Sequence, residues 1–142
     1  MVVKLEDKQA HDLIKNGMRA VAEFIRLTAL DLLGAIKIRS PKDHGKLQGS
    51  WRSKKESNLA YMVYTAVKYA LFLHKGTKPH VIRPKTKKAL KVSRYGIFKK
   101  VNHPGTKPNP FIKQSIDDTA KRVDEFIQIA INSTAGGGVN AT

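Results

Sequence analysis

A long stretch without proline constrains the fold of this chain more than any other feature. From about Leu5 to Ile38, apolar residues recur at steps of three and four with charged residues between them, the pattern of an amphipathic α-helix. About 30 residues at a rise of 1.5 Å each predict a rod of roughly 45 Å. Such a rod is long for 142 residues, so we expect part of it to pack on another subunit. The apolar positions are Leu13, Ile14, Met18, Val21, Ile25, Leu32 and Ile36.

The middle of the chain predicts short strands. Residues 40–51 are rich in turn formers, and two strands joined by a turn near Asn58 follow them. The alternation after this turn places Tyr61, Val63, Thr65 and Val67 on one face. A short apolar helical turn then ends at Gly76, and residues 80–92 and 95–103 each predict one further strand. Pro84 confines the first of these two strands to a sheet edge or an extended arm, because proline cannot donate to a ladder.

A second helix is predicted near the end of the chain. Asn109 is a candidate cap and Pro110 a candidate first residue. The fold class is therefore α+β, with a long N-terminal helix and a C-terminal helix packed on a small, mainly antiparallel sheet that carries an extended basic arm. We expect one domain over residues 1–135 and a flexible glycine-rich tail at 136–142. The predicted apolar stripe of the second helix is Phe111, Ile112, Ile116, Ala120, Val123, Ile127 and Ile131.

One six-residue pattern, H-x-G-T-K-P, occurs twice, at His74–Pro79 and His103–Pro108. The first copy leaves a helical turn for an extended arm, and the second leaves a strand for a helix, so the flanks do not indicate a duplicated folding unit. In each copy glycine can take a positive φ, threonine can bond its local backbone and proline fixes the exit direction. We therefore predict two rigid corners that bracket the arm, and no metal shared by their histidines.

Charge is distributed unevenly along the chain. There are 27 lysine and arginine residues against 11 acidic ones, a formal net charge of +16, and no acidic residue lies between Glu56 and Asp117. A field of one sign attracts polyanions or an acidic protein face and repels copies of itself. We expect DNA or an acidic partner to face the arm residues Arg83, Lys85, Lys87, Lys88, Lys91, Arg94, Lys99 and Lys100.

Enzymatic and cofactor chemistry find little support in the sequence. Acid–base and triad mechanisms need a carboxylate near the reacting group, and the central loops contain none. The five histidines do not have the spacing of a metal site, no cysteine is present, and no phosphate-binding glycine motif occurs. We expect no catalytic residues, no metal and no cofactor. No apolar run approaches the length of about 20 residues that a membrane-spanning helix needs.

Three stretches together resemble the small tail-component, or tail-completion, family of tailed bacteriophages, which overlaps with the virion-morphogenesis proteins. They are SPKDHGKLQGSW at 40–51, YALFLHKGTKPHVIRPKTKKAL at 69–90 and HPGTKPNPFIKQSI at 103–116. The match covers roughly Ser40 to Ile116, and the long first helix is in the expected place. The family often has an acidic residue where this chain has His74, so no salt bridge between subunits is inferred there.

The resemblance implies a structural virion protein made in the host bacterial cytoplasm and located in the neck or at the top of the tail. Such proteins form rings that help to close the tail and join it to the DNA-filled head. The implied partners are copies of itself in a hexamer or dodecamer, and neighbouring neck and tail proteins (terminator, stopper or adaptor, tail tube). Non-specific contact with packaged DNA is also implied, without membrane association.

Two alternatives stay open at this point. One is a tail terminator or head–tail stopper of the same neck, and the other is a small basic nucleic-acid-binding protein. For the ring component, arm and corner residues would contact neighbouring subunits, because extended segments can add to a neighbour's sheet edge. These residues are Gly76, Thr77, Pro79, Val81, Ile82, Pro84, Gly105, Thr106, Pro108, Pro110 and Phe111.

Overall fold

The computed structural model describes residues 7–42, 45–92 and 95–136. These residues form two compact units. The helical unit contains the described residues up to Ala66 and those from Phe111 onward, and the hairpin unit is Val67–Pro110. The domain expected over residues 1–135 therefore contains two compact units. Residues 137–142, which make up nearly all of the expected tail, lie outside the described residues.

The first helix, α1, spans Asp7–Arg39, which confirms the long helix predicted from periodicity. Its 33 residues make a rod of about 50 Å. The helix packs on the later helices and strands of its unit, and Ala29 and Ile36 in its C-terminal half are buried. Its N-terminal half leaves a row of predicted core positions exposed to solvent. They are Leu13, Ile14, Met18 and Val21.

A short helix, α2 (Lys46–Ser50), lies where the sequence predicts only a turn. Gly45 precedes it with a φ of 66°, and the Leu47 side chain is fully packed at 1% exposure. The turn prediction is wrong over these five residues, because burial of Leu47 stabilises a helical turn that the nearby glycines disfavour.

The core of the helical unit is centred on Trp51 and Phe111. Their rings meet edge to face with centroids 6.4 Å apart, a favoured aromatic geometry. The buried Ser40 hydroxyl donates to the Ile36 carbonyl at 2.7 Å and accepts from Trp51 Nε1 at 2.9 Å. Both polar groups are therefore satisfied inside the core, as buried polar groups must be.

Strands β1 (Arg52–Ser57) and β2 (Ala60–Tyr64) form the predicted hairpin. They pair antiparallel, with Arg52 opposite Tyr64 at the open end. Tyr61 and Val63 are the half-buried positions of β2, and the other three residues of the strand are exposed, which confirms the predicted alternation.

The C-terminal segment forms two helices, α4 (Phe111–Ala120) and α5 (Val123–Ala135), and the prediction of one continuous helix is wrong. The break is at Lys121 and Arg122, where Arg122 has φ −104° and ψ 6°. The Arg122 guanidinium bonds Glu125 and, across the unit, Asp31. These bonds hold Arg122 in a non-helical conformation that local propensity does not predict.

The predicted apolar stripe of this segment is largely on the wrong face. The buried positions are Phe111, Ser115, Thr119, Phe126 and Ala130, while Ile116, Ala120, Ile127 and Ile131 are exposed. Two hydroxyl residues can be buried because each is hydrogen-bonded. Ser115 Oγ donates to the Phe111 carbonyl at 2.7 Å, and Thr119 Oγ1 donates to an Asp31 carboxylate oxygen at 2.9 Å.

The hairpin unit begins with α3 (Ala70–Lys75), the predicted helical turn. Residues 80–92 and residues 95–103 are each predicted to form one strand, and each segment forms two short strands. The outer pair is β3 (His80–Ile82) with β6 (Val101–His103), and the inner pair is β4 (Leu90–Val92) with β5 (Gly96–Phe98). Strand β3 ends two residues before Pro84, and the chain bends over 85–89 before β4 begins.

The arrangement as a whole confirms an α+β fold. The antiparallel strands of the described chain form three separate two-stranded ladders. In the helical unit the β1–β2 ladder packs against α1. In the hairpin unit the nested β3–β6 and β4–β5 ladders carry the predicted basic arm.

Candidate functional site

The two copies of the repeated pattern meet at the base of the hairpin unit. Thr77 and Thr106 form an antiparallel bridge. The Thr77 N–H donates to the Thr106 carbonyl at 2.9 Å, and the Thr106 N–H donates to the Thr77 carbonyl at 3.0 Å. We name residues 76–79 and 105–108 the paired corners. The sequence predicts two corners but not their contact.

Both corner glycines are required by the backbone. Gly76 and Gly105 have φ values of 74° and 89°, in the region that glycine adopts without cost. A Cβ on Gly76 would lie 2.6 Å from the Thr106 carbonyl oxygen, and one on Gly105 would lie 2.4 Å from that of Thr77. Each glycine thus lets the other corner's backbone approach, which confirms the predicted positive φ and adds a packing reason for it.

The prolines complete the paired corners. A Cβ on Gly76 would lie 2.9 Å from the ring of Pro108, and one on Gly105 would lie 3.1 Å from the nitrogen of Pro79. The prediction that threonine bonds its local backbone is wrong for Thr77, whose buried hydroxyl has no hydrogen-bond partner among the described residues. The six predicted corner positions are therefore in one place, held by backbone bonds and close packing.

Two histidines stack directly above the corners. His80 on β3 is opposite His103 on β6, with ring centroids 5.0 Å apart and planes 29° apart. His80 Nδ1 donates to the Lys78 carbonyl at 2.9 Å, while His103 Nδ1 accepts the Gly105 N–H at 3.1 Å. Each ring therefore braces one corner. The histidine that meets His103 is thus His80, which lies outside the repeated pattern.

The basic arm above the corners is exposed. Among the predicted partner-facing residues, Arg83, Lys85, Lys87, Lys88, Lys91, Lys99 and Lys100 are exposed, and Arg94 lies outside the described residues. Tyr95 is 77% exposed beside them. The hairpin unit contains no carboxylate side chain, so no ion pair within the unit neutralises these cations.

The other predicted interface residues occupy different environments. Val81 and Ile82 lie on β3 with exposed side chains, and Pro84 follows β3 half-buried. Pro110 is exposed directly before α4, whereas Phe111 is completely buried. The Phe111 side chain therefore belongs to the core of the helical unit rather than to the surface.

Two apolar faces of the helical unit are exposed; the sequence predicts that part of α1 packs on another subunit but does not identify either face. We name Leu13, Ile14, Met18 and Val21 the α1 face, and Ile116, Ala120, Ile127 and Ile131 the α4–α5 face. On the α1 face, Ile14 and Met18 are 64% and 57% exposed. The signal was in the sequence, since both rows are periodic, but periodicity alone does not distinguish a core face from an exposed one.

Acidic residues of the helical unit are largely paired within it. Arg39 donates to Asp118 at 2.6 Å, and this hydrogen bond holds the pKa of the Asp118 carboxyl below its usual value. The hydrogen bonds from Arg26 likewise lower the pKa of Glu23. The acidic residues with a lysine or arginine partner in their own unit are Glu23, Asp31, Glu56, Asp117, Asp118 and Glu125.

Neither metal-binding clusters nor membrane-spanning helices occur in the described part of the chain. No group of three or more histidine and acidic side chains in residues 7–42, 45–92 and 95–136 could hold a metal ion. Within the same ranges, every helix is too short or too polar to cross a lipid bilayer. Of the two adjacent acid–histidine pairs, Asp43 and His44 lie outside these ranges, whereas His11 and Asp12 are exposed on α1.

Comparison with known proteins gives no match: no family model, no curated protein sequence and no solved structure is similar to this chain.

Proposed function

We propose that this protein is a ring-forming structural component of a tailed-phage virion, located in the neck or at the top of the tail. Its role there is to close the tail and help to join it to the DNA-filled head. The proposal rests on the resemblance of three sequence stretches, on where those stretches lie in the fold, and on two exposed apolar faces.

The three stretches supply a central core contact of the helical unit and the paired corners of the hairpin unit. Stretch 40–51 and the start of α4 supply the core contact between Trp51 and Phe111. Stretches 69–90 and 103–116 supply the two paired corners, and the Asn109 N–H donates to the Leu73 carbonyl at 3.0 Å beside them. The residues that resemble the tail-completion family therefore pack in the core or fix turns of the chain, as expected for a structural protein.

The two apolar faces carry the ring proposal. The α1 face and the α4–α5 face contain different residues on different helices of the same unit. Exposed apolar patches mark interaction sites. If the α1 face of one copy packs on the α4–α5 face of the next, the contact is heterologous, and heterologous contacts close into rings when the rotation allows.

The occupant of each face is therefore a second copy of this chain. A symmetric pair through the α1 face alone would bury one patch and leave the other exposed, whereas a head-to-tail ring buries both in every copy. Burial of these side chains stabilises the assembly by roughly 25 cal/mol for each Å² of apolar surface removed from water.

Electron microscopy of phage particles that lack this protein tests the proposal. We expect heads and tails that fail to join properly, and ring-shaped oligomers of the purified protein on a sizing column. Intact, infectious particles without the protein would contradict the proposal. The position of the chain in a particle reconstruction separates a tail-completion ring from a terminator or a stopper of the same neck.

A further inference from the structure

We propose that the hairpin unit binds the phosphate backbone of duplex DNA without reading its sequence. This deepens the proposed function by naming the partner of the basic arm, and it rests on that function only for where in a particle the contact occurs. The binding itself follows from the charge and exposure of the unit.

Charge is segregated between the two units. The hairpin unit, 67–110, has twelve lysine and arginine residues and no acidic residue, whereas all 11 acidic residues of the chain lie outside it. Six of the 11 acidic residues pair with lysine or arginine residues of the helical unit itself. More than half of the carboxylates of a neighbouring copy are therefore already in ion pairs.

The cations lie where a long polyanion can reach several at once. Lys85, Lys87 and Lys88 are exposed in the bend that leads into the inner ladder, and Lys99 and Lys100 are exposed in the connection that leaves it. Lys91 is opposite Ile97 in that ladder, so its side chain shares the Ile97 face. Cations thus lie on the ladder and on both segments that connect it to the base.

Duplex DNA fits this surface better than an acidic protein does. Lysine is depleted in protein–protein interfaces, and most of the exposed arm cations are lysines. Duplex DNA presents about one negative charge per 1.7 Å of its axis, twice the linear density of a single strand. It can therefore neutralise many cations of one unit, and of neighbouring units, at the same time.

Nothing in the described part of the hairpin unit reads bases. Direct readout places a recognition helix or a two-stranded ribbon in the major groove. The helix α3 has only six residues, and the two-stranded ladders of this unit have only three residues in each strand. Contacts from flexible lysines to phosphates position a protein without carrying sequence information. We therefore expect binding that is independent of sequence and strongly dependent on salt.

Fluorescence anisotropy with a labelled duplex of about 30 base pairs, measured from about 50 to about 200 mM salt, tests the inference. The variant is Lys85→Gln with Lys87→Gln and Lys88→Gln. The matched control removes the same charge from exposed positions of the helical unit: Lys8→Gln with Lys15→Gln and Lys46→Gln. Circular dichroism melting and column sizing of each variant establish that folding and assembly are intact.

The expected result is a loss of about tenfold or more in affinity at about 100 mM salt for the arm variant, and less than about threefold for the control. Each phosphate contact contributes about −0.9 to the slope of log K against log salt, so the arm variant should lose about 2 to 3 from its magnitude. A control that loses as much as the arm variant would overturn the inference, since total charge would then explain the binding.

Two further measurements challenge the choice of partner. Tighter binding to single-stranded DNA than to duplex, with loss on Tyr95→Ala, would overturn the duplex assignment in favour of base stacking. Tighter binding to polyglutamate than to duplex at equal salt would overturn it in favour of an acidic protein partner. Because sizing is measured separately, failure to bind DNA and failure to form rings are distinguishable.

Discussion

Thr77 and Thr106 lie 29 positions apart and exchange backbone hydrogen bonds of 2.9 and 3.0 Å. This reciprocal pair joins the two copies of the repeated pattern and closes the base of the hairpin unit. The glycine before each threonine makes the approach possible, since a Cβ at either position would meet the opposite backbone. The repetition in the sequence therefore has a structural reason: each corner is the packing partner of the other.

Replacement of either corner glycine should destabilise the hairpin unit severely. Gly105→Ala places a Cβ 2.4 Å from the Thr77 carbonyl oxygen at a φ of 89°, so we expect a loss of more than about 2 kcal/mol in the free energy of unfolding. Urea unfolding followed by circular dichroism and by the NMR signals of the hairpin-unit amides measures it, with Gly76→Val as the second variant.

The control for the corner glycines is Gly34→Ala, where an added Cβ meets nothing within 4 Å. Alanine there should stabilise α1 by up to about 1 kcal/mol. His103→Ala removes the acceptor of the Gly105 N–H and the ring stacked on His80, and it should cost about 1–2 kcal/mol. A larger loss for His103→Ala than for Gly105→Ala would favour a role for the imidazoles beyond bracing the corners.

The buried Ser40–Trp51 hydrogen bond should contribute measurably to stability. Ser40→Ala leaves the Trp51 indole N–H, now 2.9 Å from Ser40 Oγ, without its partner in the core, which should cost about 1–3 kcal/mol. Trp51→Phe removes the donor, so the double variant should show a coupling energy of about 0.5–2 kcal/mol in a thermodynamic cycle. If the losses in the free energy of unfolding of the two single variants added up to that of the double variant, the hydrogen bond would not contribute to stability.

Sequence patterns predict those helices and strands that depend only on neighbouring residues of the chain. The periodicity of α1 and the alternation in β2 are both properties of short windows, and both are confirmed. The break between α4 and α5 is different, because Lys121 and Arg122 are acceptable helix residues. It depends on the bond from Arg122 to Asp31, which is 91 positions away, and no local window contains both residues.

In the candidate site, too, local patterns predict some features, whereas others depend on residues that are distant in the sequence. The positive φ of Gly76 and Gly105 follows from the local G-T-K-P pattern and is confirmed. The pairing of the corners depends on the register of β3 with β6, which composition does not determine. The exposed faces are a third case. On α4, Ile116 repeats like a core residue, but Ser115 and Thr119 are the buried positions. Their hydroxyls tolerate burial because each donates a hydrogen bond, and periodicity does not register this.

The pKa of Asp118 should respond to its arginine partner. The Arg39 hydrogen bond lowers the pKa of this carboxyl in the folded state, so the pair stabilises the fold above the unfolded pKa, and the stabilisation is lost as pH falls through the folded pKa. In a carboxyl NMR titration, Arg39→Gln should raise the pKa of Asp118, with Lys42→Gln as the control. An unchanged pKa in Arg39→Gln would show that the pair is not formed in solution.

A charge on the α1 face should disrupt assembly without unfolding the chain. Ile14→Glu with Met18→Glu places carboxylates at side chains that are 64% and 57% exposed, so the free energy of unfolding of the isolated chain should change by less than about 1 kcal/mol. Light scattering should show loss of the ring. The control, Asn16→Glu, adds a negative charge at an exposed position outside the α1 face and should assemble normally; disassembly by this control would indicate a general charge effect.

A mixing experiment distinguishes a head-to-tail contact from a symmetric one. Ile127→Glu with Ile131→Glu should also abolish the ring, because it blocks the α4–α5 face. Each blocked protein keeps the face that the other has lost. In a heterologous arrangement, the two variants mixed in equal amounts should therefore form a one-to-one heterodimer through their intact faces, with no larger species. Light scattering and native mass spectrometry of the mixture measure this, with Gln128→Glu as the assembling control. If the α1 faces instead paired symmetrically, the Ile127 and Ile131 variant would dimerise alone and the mixture would contain no heterodimer.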